Sequence, residues 1–178
     1  MRVFSAIILA GIVSGTLTAQ INHRSKAEQT AFSAEDEEVK KPVAVPDDVL
    51  SLLIADDLVR EAMEDSEPPV KVPPQGWFSA SRIHLGATEE EDLIIEARGP
   101  LVGANIDTFW IILRTPKRPV LVLTASAHDL MVKKSRSNGY RDIELFSATA
   151  VECSTTVLKF DGKKYNVSRL KSGPIPHC

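Results

Sequence analysis

Four histidines, His23, His84, His128 and His177, are the imidazoles from which acid–base or zinc chemistry would have to start. A zinc site takes three or four His, Cys or carboxylate ligands at workable spacing. His128 is followed at once by Asp129, and neighbours on a strand point to opposite faces, so that pair does not serve one metal. His23 falls in a polar stretch and His177 stands next to the last residue. No Gly-x-Ser-x-Gly elbow, His-Glu-x-x-His pair or phosphate-gripping glycine loop occurs. Glu89-Glu90-Glu91-Asp92 is a continuous acidic run. Carboxylates do acid–base or calcium chemistry when a rigid cleft places them, whereas a run of this kind reads as a solvated loop. No metal and no cofactor is therefore expected. An enzyme reading rests on His84 or His128 meeting a carboxylate through folding.

The second chemistry is electrostatic. Residues 46–100 hold thirteen Asp/Glu against four Lys/Arg, and residues 101–178 hold six against twelve. Lys133, Lys134, Arg136 and Arg141 cluster around Asn138-Gly139, and Lys163 and Lys164 follow Asp161-Gly162. Asn-Gly and Asp-Gly are tight-turn pairs that supply positive φ, and Tyr140 and Tyr165 are placed to pack over them. If both turns lie at one end of a sheet, these six cations with Asn138 and Tyr140 make a positive rim for an anionic ligand. The bland alternative is a set of solvated loop charges that also guard strand edges. The whole chain, at a formal charge of −3, gives no case for nucleic-acid binding.

The elements that would position these residues follow from patterning. Met1-Arg2, an apolar run and a small-residue end at Ala19 read as a secretory signal over 1–19. If it is not cleaved, it is the one contact with a membrane. Residues 20–45 are polar and mixed in charge, and read as a flexible linker. The domain is expected over 46–178. Pro46-Asp47-Asp48 starts a helix, and the apolar residues of 49–63 fall on two faces with Asp56 between them. That predicts two short helices, or one kinked near Asp56, which is a good cap. After an extended Pro68–Pro74 bridge come strands at 77–85, 93–95, 106–113, 119–124, 130–133, 143–160 and 163–168. The expected class is α+β or mainly β: short helices, then an antiparallel meander of about six to eight strands. Adjacent aromatics such as Phe109 and Trp110 must face opposite ways, leaving one exposed or covered by the helices. In an oxidising compartment Cys153 and Cys178 are expected to bond and to tie down the chain end.

Four pieces stand out together: the Pro46-to-Met63 lead, Gly103-Ala104-Asn105 before Phe109-Trp110, Asn138-Gly139-Tyr140-Arg141-Asp142-Ile143, and Lys159-Phe160-Asp161-Gly162-Lys163-Lys164-Tyr165. In this order they resemble an uncharacterised secreted bacterial domain type. The resemblance implies a shared fold over 46–178 and brings no activity with it. The leading expectation is an exported, periplasmic or cell-surface binding domain without catalysis. Its partner would be an envelope protein, such as a cell-wall hydrolase it inhibits, or an anionic envelope polymer. The alternatives are a hydrolytic enzyme built on His84 or His128, and a purely structural scaffold.

Overall fold

Phe109–Leu113 is an unbroken apolar run, the pattern of a strand covered on both faces, and all seven residues of the strand Asp107–Leu113 are buried. The computed structural model describes residues 28–87, 89–103 and 106–175. In chain order the elements are β1 (Ala31–Ser33), α1 (Asp47–Leu53), α2 (Asp57–Asp65), β2 (Phe78–Ile83), β3 (Asp92–Ala97), β4 (Asp107–Leu113), β5 (Val120–Ala127), β6 (Asp129–Ser137), β7 (Tyr140–Ala148), β8 (Glu152–Phe160) and β9 (Tyr165–Pro174). They build two antiparallel sheets, ordered β2-β3-β4-β5 and β1-β6-β7-β8-β9.

Alternation along β4 fixes the layering. Phe109, Ile111 and Leu113 enter a core shared with the five-stranded sheet. Trp110 and Ile112 enter a second core, closed by Val49, Leu50 and Leu53 of α1 and by Val59 and Met63 of α2. The result is three layers: helices, the four-stranded sheet, the five-stranded sheet. Both adjacent aromatics are thus fully buried, with Trp110 under the helices. The helices separate at Ala55-Asp56, as the two apolar faces predict. Asp56 caps α2 by accepting from the Leu58 amide at 3.1 Å, and its second oxygen accepts from Trp110 Nε1 at 3.0 Å.

The seven strand regions expected from the sequence form eight strands, because 143–160 is divided by a turn in which the Thr149 amide donates to the Glu152 carbonyl at 2.8 Å. The ninth strand, β1, is a correction to the expected linker. It pairs antiparallel with β6, Phe32 opposite Leu130, and Phe32 is 2% exposed within the inter-sheet core. Val39 and Val45 are buried as well. Val43 bridges to Ala80, and Gln75 clasps both backbone groups of Val45 at 3.0 Å. Residues 28–45 are therefore part of the folded unit, because isolated apolar residues in a polar stretch are enough to dock a segment when each finds a core site. The expected signal 1–19, the rest of the linker up to residue 27, His177 and Cys178 lie outside the described residues. Among the described residues no helix is long and apolar enough to cross a membrane.

Candidate binding site at the hairpin end

The β6–β7 turn is built by Asn138 (φ 48°) and Gly139 (φ 84°), both in the left-handed region that a tight two-residue hairpin needs. The Asn138 side chain donates from Nδ2 to the Phe160 carbonyl at 2.7 Å, which fastens this corner to the end of β8. The β8–β9 corner is looser than Asp-Gly predicts. Only Gly162 (φ 104°) has positive φ there, and Phe160 pairs with Tyr165 across a four-residue loop. Asp161 organises that loop: its carboxylate accepts from the amides of Lys163 at 2.7 Å and Lys164 at 2.9 Å, and from Asn166 Nδ2 at 2.8 Å. Those donors, Lys164 first, hold the Asp161 carboxyl below its ordinary range.

The two corners meet through rings. Tyr140 lies 4.5 Å from Phe160, and Phe160 lies 5.4 Å from Tyr165, centroid to centroid. Tyr165 donates its hydroxyl to the Arg141 carbonyl at 2.8 Å, and burial pushes its ionisation far above the usual tyrosine range. Tyr140 also covers Gly86, where a Cβ would come within 3.0 Å of the ring.

The predicted cations divide into two groups. Arg141 is spent on the fold: it donates to the carbonyls of Lys133 at 2.8 Å and Val132 at 3.2 Å, beside the β6 irregularity, and to Glu28 at 2.8 Å. Arg136 donates to the carbonyls of Leu85 at 2.8 Å and Gly139 at 2.9 Å. Lys133 pairs with Glu144 at 3.0 Å. Lys134, Lys163 and Lys164 are exposed, and their ammonium groups make no ion pair within 4.0 Å among the described residues. Lys134 lines an open groove of about 390 Å³ with Glu28, His84, Arg136 and Arg141. Lys163 and Lys164 stand on the neighbouring loop and do not line that groove.

Glu28, in the segment expected to be linker, belongs to the same groove. Its Oε2 takes Arg141, while Oε1 accepts from the His84 amide and lies 3.3 Å from His84 Nδ1. No local pattern marks it, since its partners are 56 and 113 residues away. The acidic run is not uniformly solvated. Glu89 and Glu90 are exposed and Glu91 pairs with Arg82 at 2.9 Å. Asp92, however, is 2% exposed and accepts from the amides of Leu85 at 3.1 Å and Arg114 at 3.0 Å. Burial pushes its carboxyl up, against those backbone donors.

The opposite end of the sandwich carries a buried acid pair. Glu96 and Asp107, each 1% exposed, give one oxygen apiece to Arg98, at 2.7 and 2.9 Å. Their other oxygens, Glu96 Oε1 and Asp107 Oδ1, have no donor among the described residues. One guanidinium does not neutralise two carboxylates. Burial pushes Glu96 up to about 7; Arg98 opposes this and Asp107 adds to it. The retained proton then supplies the missing donor. Asp107 borders a cleft of about 220 Å³ with Glu35 and His128. His128 lies 3.3 Å from Asp129 and 3.5 Å from Glu35. Among the described residues no group of three His, Cys, Asp or Glu is placed to hold a metal ion.

No protein-family model matches the chain, and comparison with curated proteins and with solved structures likewise finds no match.

Proposed function

We propose that this chain is an exported, periplasmic or cell-surface binding domain without catalysis, and that its contact surface is the end at which the 137–140 and 160–165 corners meet. The observation that carries this reading is the Asn138–Phe160 bond with the Tyr140–Phe160–Tyr165 stack, which holds Lys134, Lys163 and Lys164 on one rigid end. A rigid scaffold that presents exposed cations suits an anionic partner and needs no reacting group. That partner is an acidic envelope protein, a cell-wall hydrolase among them, or an anionic envelope polymer. In the same reading the 1–19 segment directs export, and Cys153, buried at 5% on β8, bonds Cys178 to close the chain end.

A hydrolytic alternative draws on the His84–Glu28 contact. It is the weaker reading, because Arg141 holds the other oxygen of Glu28 at 2.8 Å and competes for its charge. The oxygens of Glu96 and Asp107 that lack a donor are closed to solvent, so they reach no substrate from the cleft.

The test is capture of envelope components by the domain carrying Lys134→Glu, Lys163→Glu and Lys164→Glu. Arg136 and Arg141 are left in place, because reversing them would break the fold as well as the surface. Loss of capture at unchanged thermal stability is the expected result. Undiminished capture would remove the hairpin end from the reading.

A further inference from the structure

β9 is the outermost strand of its sheet and hydrogen-bonds to β8 alone among the described strands. Its ten residues contrast with the three of β1 at the other edge. Every residue from Asn166 to Ser172 is exposed, so the strand projects beyond the four-stranded sheet and both of its faces meet solvent. An edge of this kind has a row of unused amides and carbonyls that pairs with an added strand.

The two faces differ in chemistry. The register sets Val167 opposite Leu158 and Leu170 opposite Thr156, with an irregularity between Val157 and Leu158 that leaves Ser168 over. Val167 and Leu170 therefore share the face of the buried Leu158, yet are 65% and 62% exposed. Arg169, opposite Val157, and Lys171, opposite Thr155, occupy the other face, and Lys163 and Lys164 stand at the start of the strand. None of these four cations has an ion-pair partner within 4.0 Å among the described residues. Nearby Asp161 is committed to the loop amides and Asn166.

We infer that the β9 edge, over Arg169–Ser172 and the flanking Val167, docks an extended acidic strand of a partner protein. The partner adds its backbone to the sheet, sets carboxylates against Arg169 and Lys171 on one face, and sets an apolar side chain against Leu170 on the other. The inference rests on the binding-domain reading above and names the partner's chemistry. A second copy of this chain fits less well: antiparallel self-pairing centred on Leu170 puts Arg169 opposite Lys171, and like charges directly opposite are destabilising. A flexible polyanion would satisfy the cations but leave Val167 and Leu170 in water.

The probe is a capped peptide alternating Glu and Val with Thr at each end, about seven residues long, enough for an ordinary strand. Its binding to the full domain is read by fluorescence anisotropy, and the docking position by amide hydrogen exchange. Slowed exchange is expected at amides within Arg169–Ser172. Arg169→Glu with Lys171→Glu should weaken binding at least about tenfold at unchanged thermal stability. Methylating alternate peptide amides, which keeps the charge and removes the donors, should abolish binding. Equal affinity for the methylated peptide, for a Lys-for-Glu peptide, or displacement by inorganic polyphosphate without change in β9 exchange would overturn the inference. So would sedimentation as a dimer that the same double reversal dissolves. The Lys117→Glu chain, changed at an exposed cation of the loop between β4 and β5, should bind the peptide unchanged. Binding lost in Lys134→Glu and kept in the β9 double variant would refute strand docking at β9 and leave the hairpin end standing.

Discussion

At the scale of single residues the fold is most exposed at Glu96. Its carboxyl titrates at about 7 in the folded chain against an ordinary value of 4.5. Between those values the folded state holds a proton that the unfolded chain has lost. The stabilisation is fully present below the ordinary value and disappears as pH rises through about 7. Asp107 is raised by burial as well and acts in the same sense. Stability should therefore fall from about pH 5 to about pH 8, by on the order of 3 kcal/mol if Glu96 dominates. Urea unfolding across that interval measures it, and Glu96→Gln should flatten most of the slope. A slope unchanged in Glu96→Gln would mean that the pair does not share a proton. Neither acid stood out in the sequence. Glu96 is a lone charge after Leu93-Ile94-Ile95, and Asp107 opens an apolar run; only pairing of β3 with β4 brings both to Arg98.

At the scale of elements, what was legible is what repeats. Strands β2 to β9 follow from alternation, short apolar runs and turn pairs, and the break between α1 and α2 follows from two apolar faces separated by Asp56. β1 was not legible, because a three-residue strand with one large apolar side chain has no period to detect. Its partner β6 is about a hundred residues away in the chain, so its stability is wholly tertiary. The same holds for Gln75, whose amide clasp on Val45 looks like an ordinary loop polar residue until the two segments meet. Among the chemistry-bearing residues, the turn corners were legible because Asn-Gly has a backbone reason to be where it is. The spending of Arg136 and Arg141 on carbonyls was not, since a sequence shows charge but not the acceptors that absorb it. These points give a direct test of the corrected boundary. Phe32→Ala removes a ring that is 2% exposed and should cost about 3 kcal/mol, read by thermal or urea unfolding. In a flexible linker the same change would be silent. Trypsin should likewise spare Lys40 in the native domain and cut there in the variant first.

At the scale of the whole molecule, charge and layers coincide. Asp47, Asp48, Asp57, Glu61, Glu64 and Asp65 lie on the helical layer, and the cations of β6 to β9 lie on the far sheet, with the four-stranded sheet between them. Among the described residues the separation seen in the sequence is bridged by the ion pair of Arg114 and Asp48 at 3.2 Å. The middle sheet also makes the two cores interdependent, since β4 contributes to both. Asp56 is the polar tie across the helix side: it caps α2, accepts from Trp110 Nε1 at 3.0 Å and reaches Thr124 of β5 at 3.4 Å. Asp56→Ala removes a cap and leaves a buried indole N–H without an acceptor, a loss of about 2–3 kcal/mol. Trp110, with Trp77 packed against the same core, reports the helix side by fluorescence, and Tyr140 and Tyr165 report the hairpin end by near-ultraviolet circular dichroism. If β4 couples the cores, both signals move to lower urea together in Asp56→Ala and keep one common transition. A tryptophan transition that shifts alone, with the tyrosine signal unmoved, would show that the helices peel from a sandwich that stands without them.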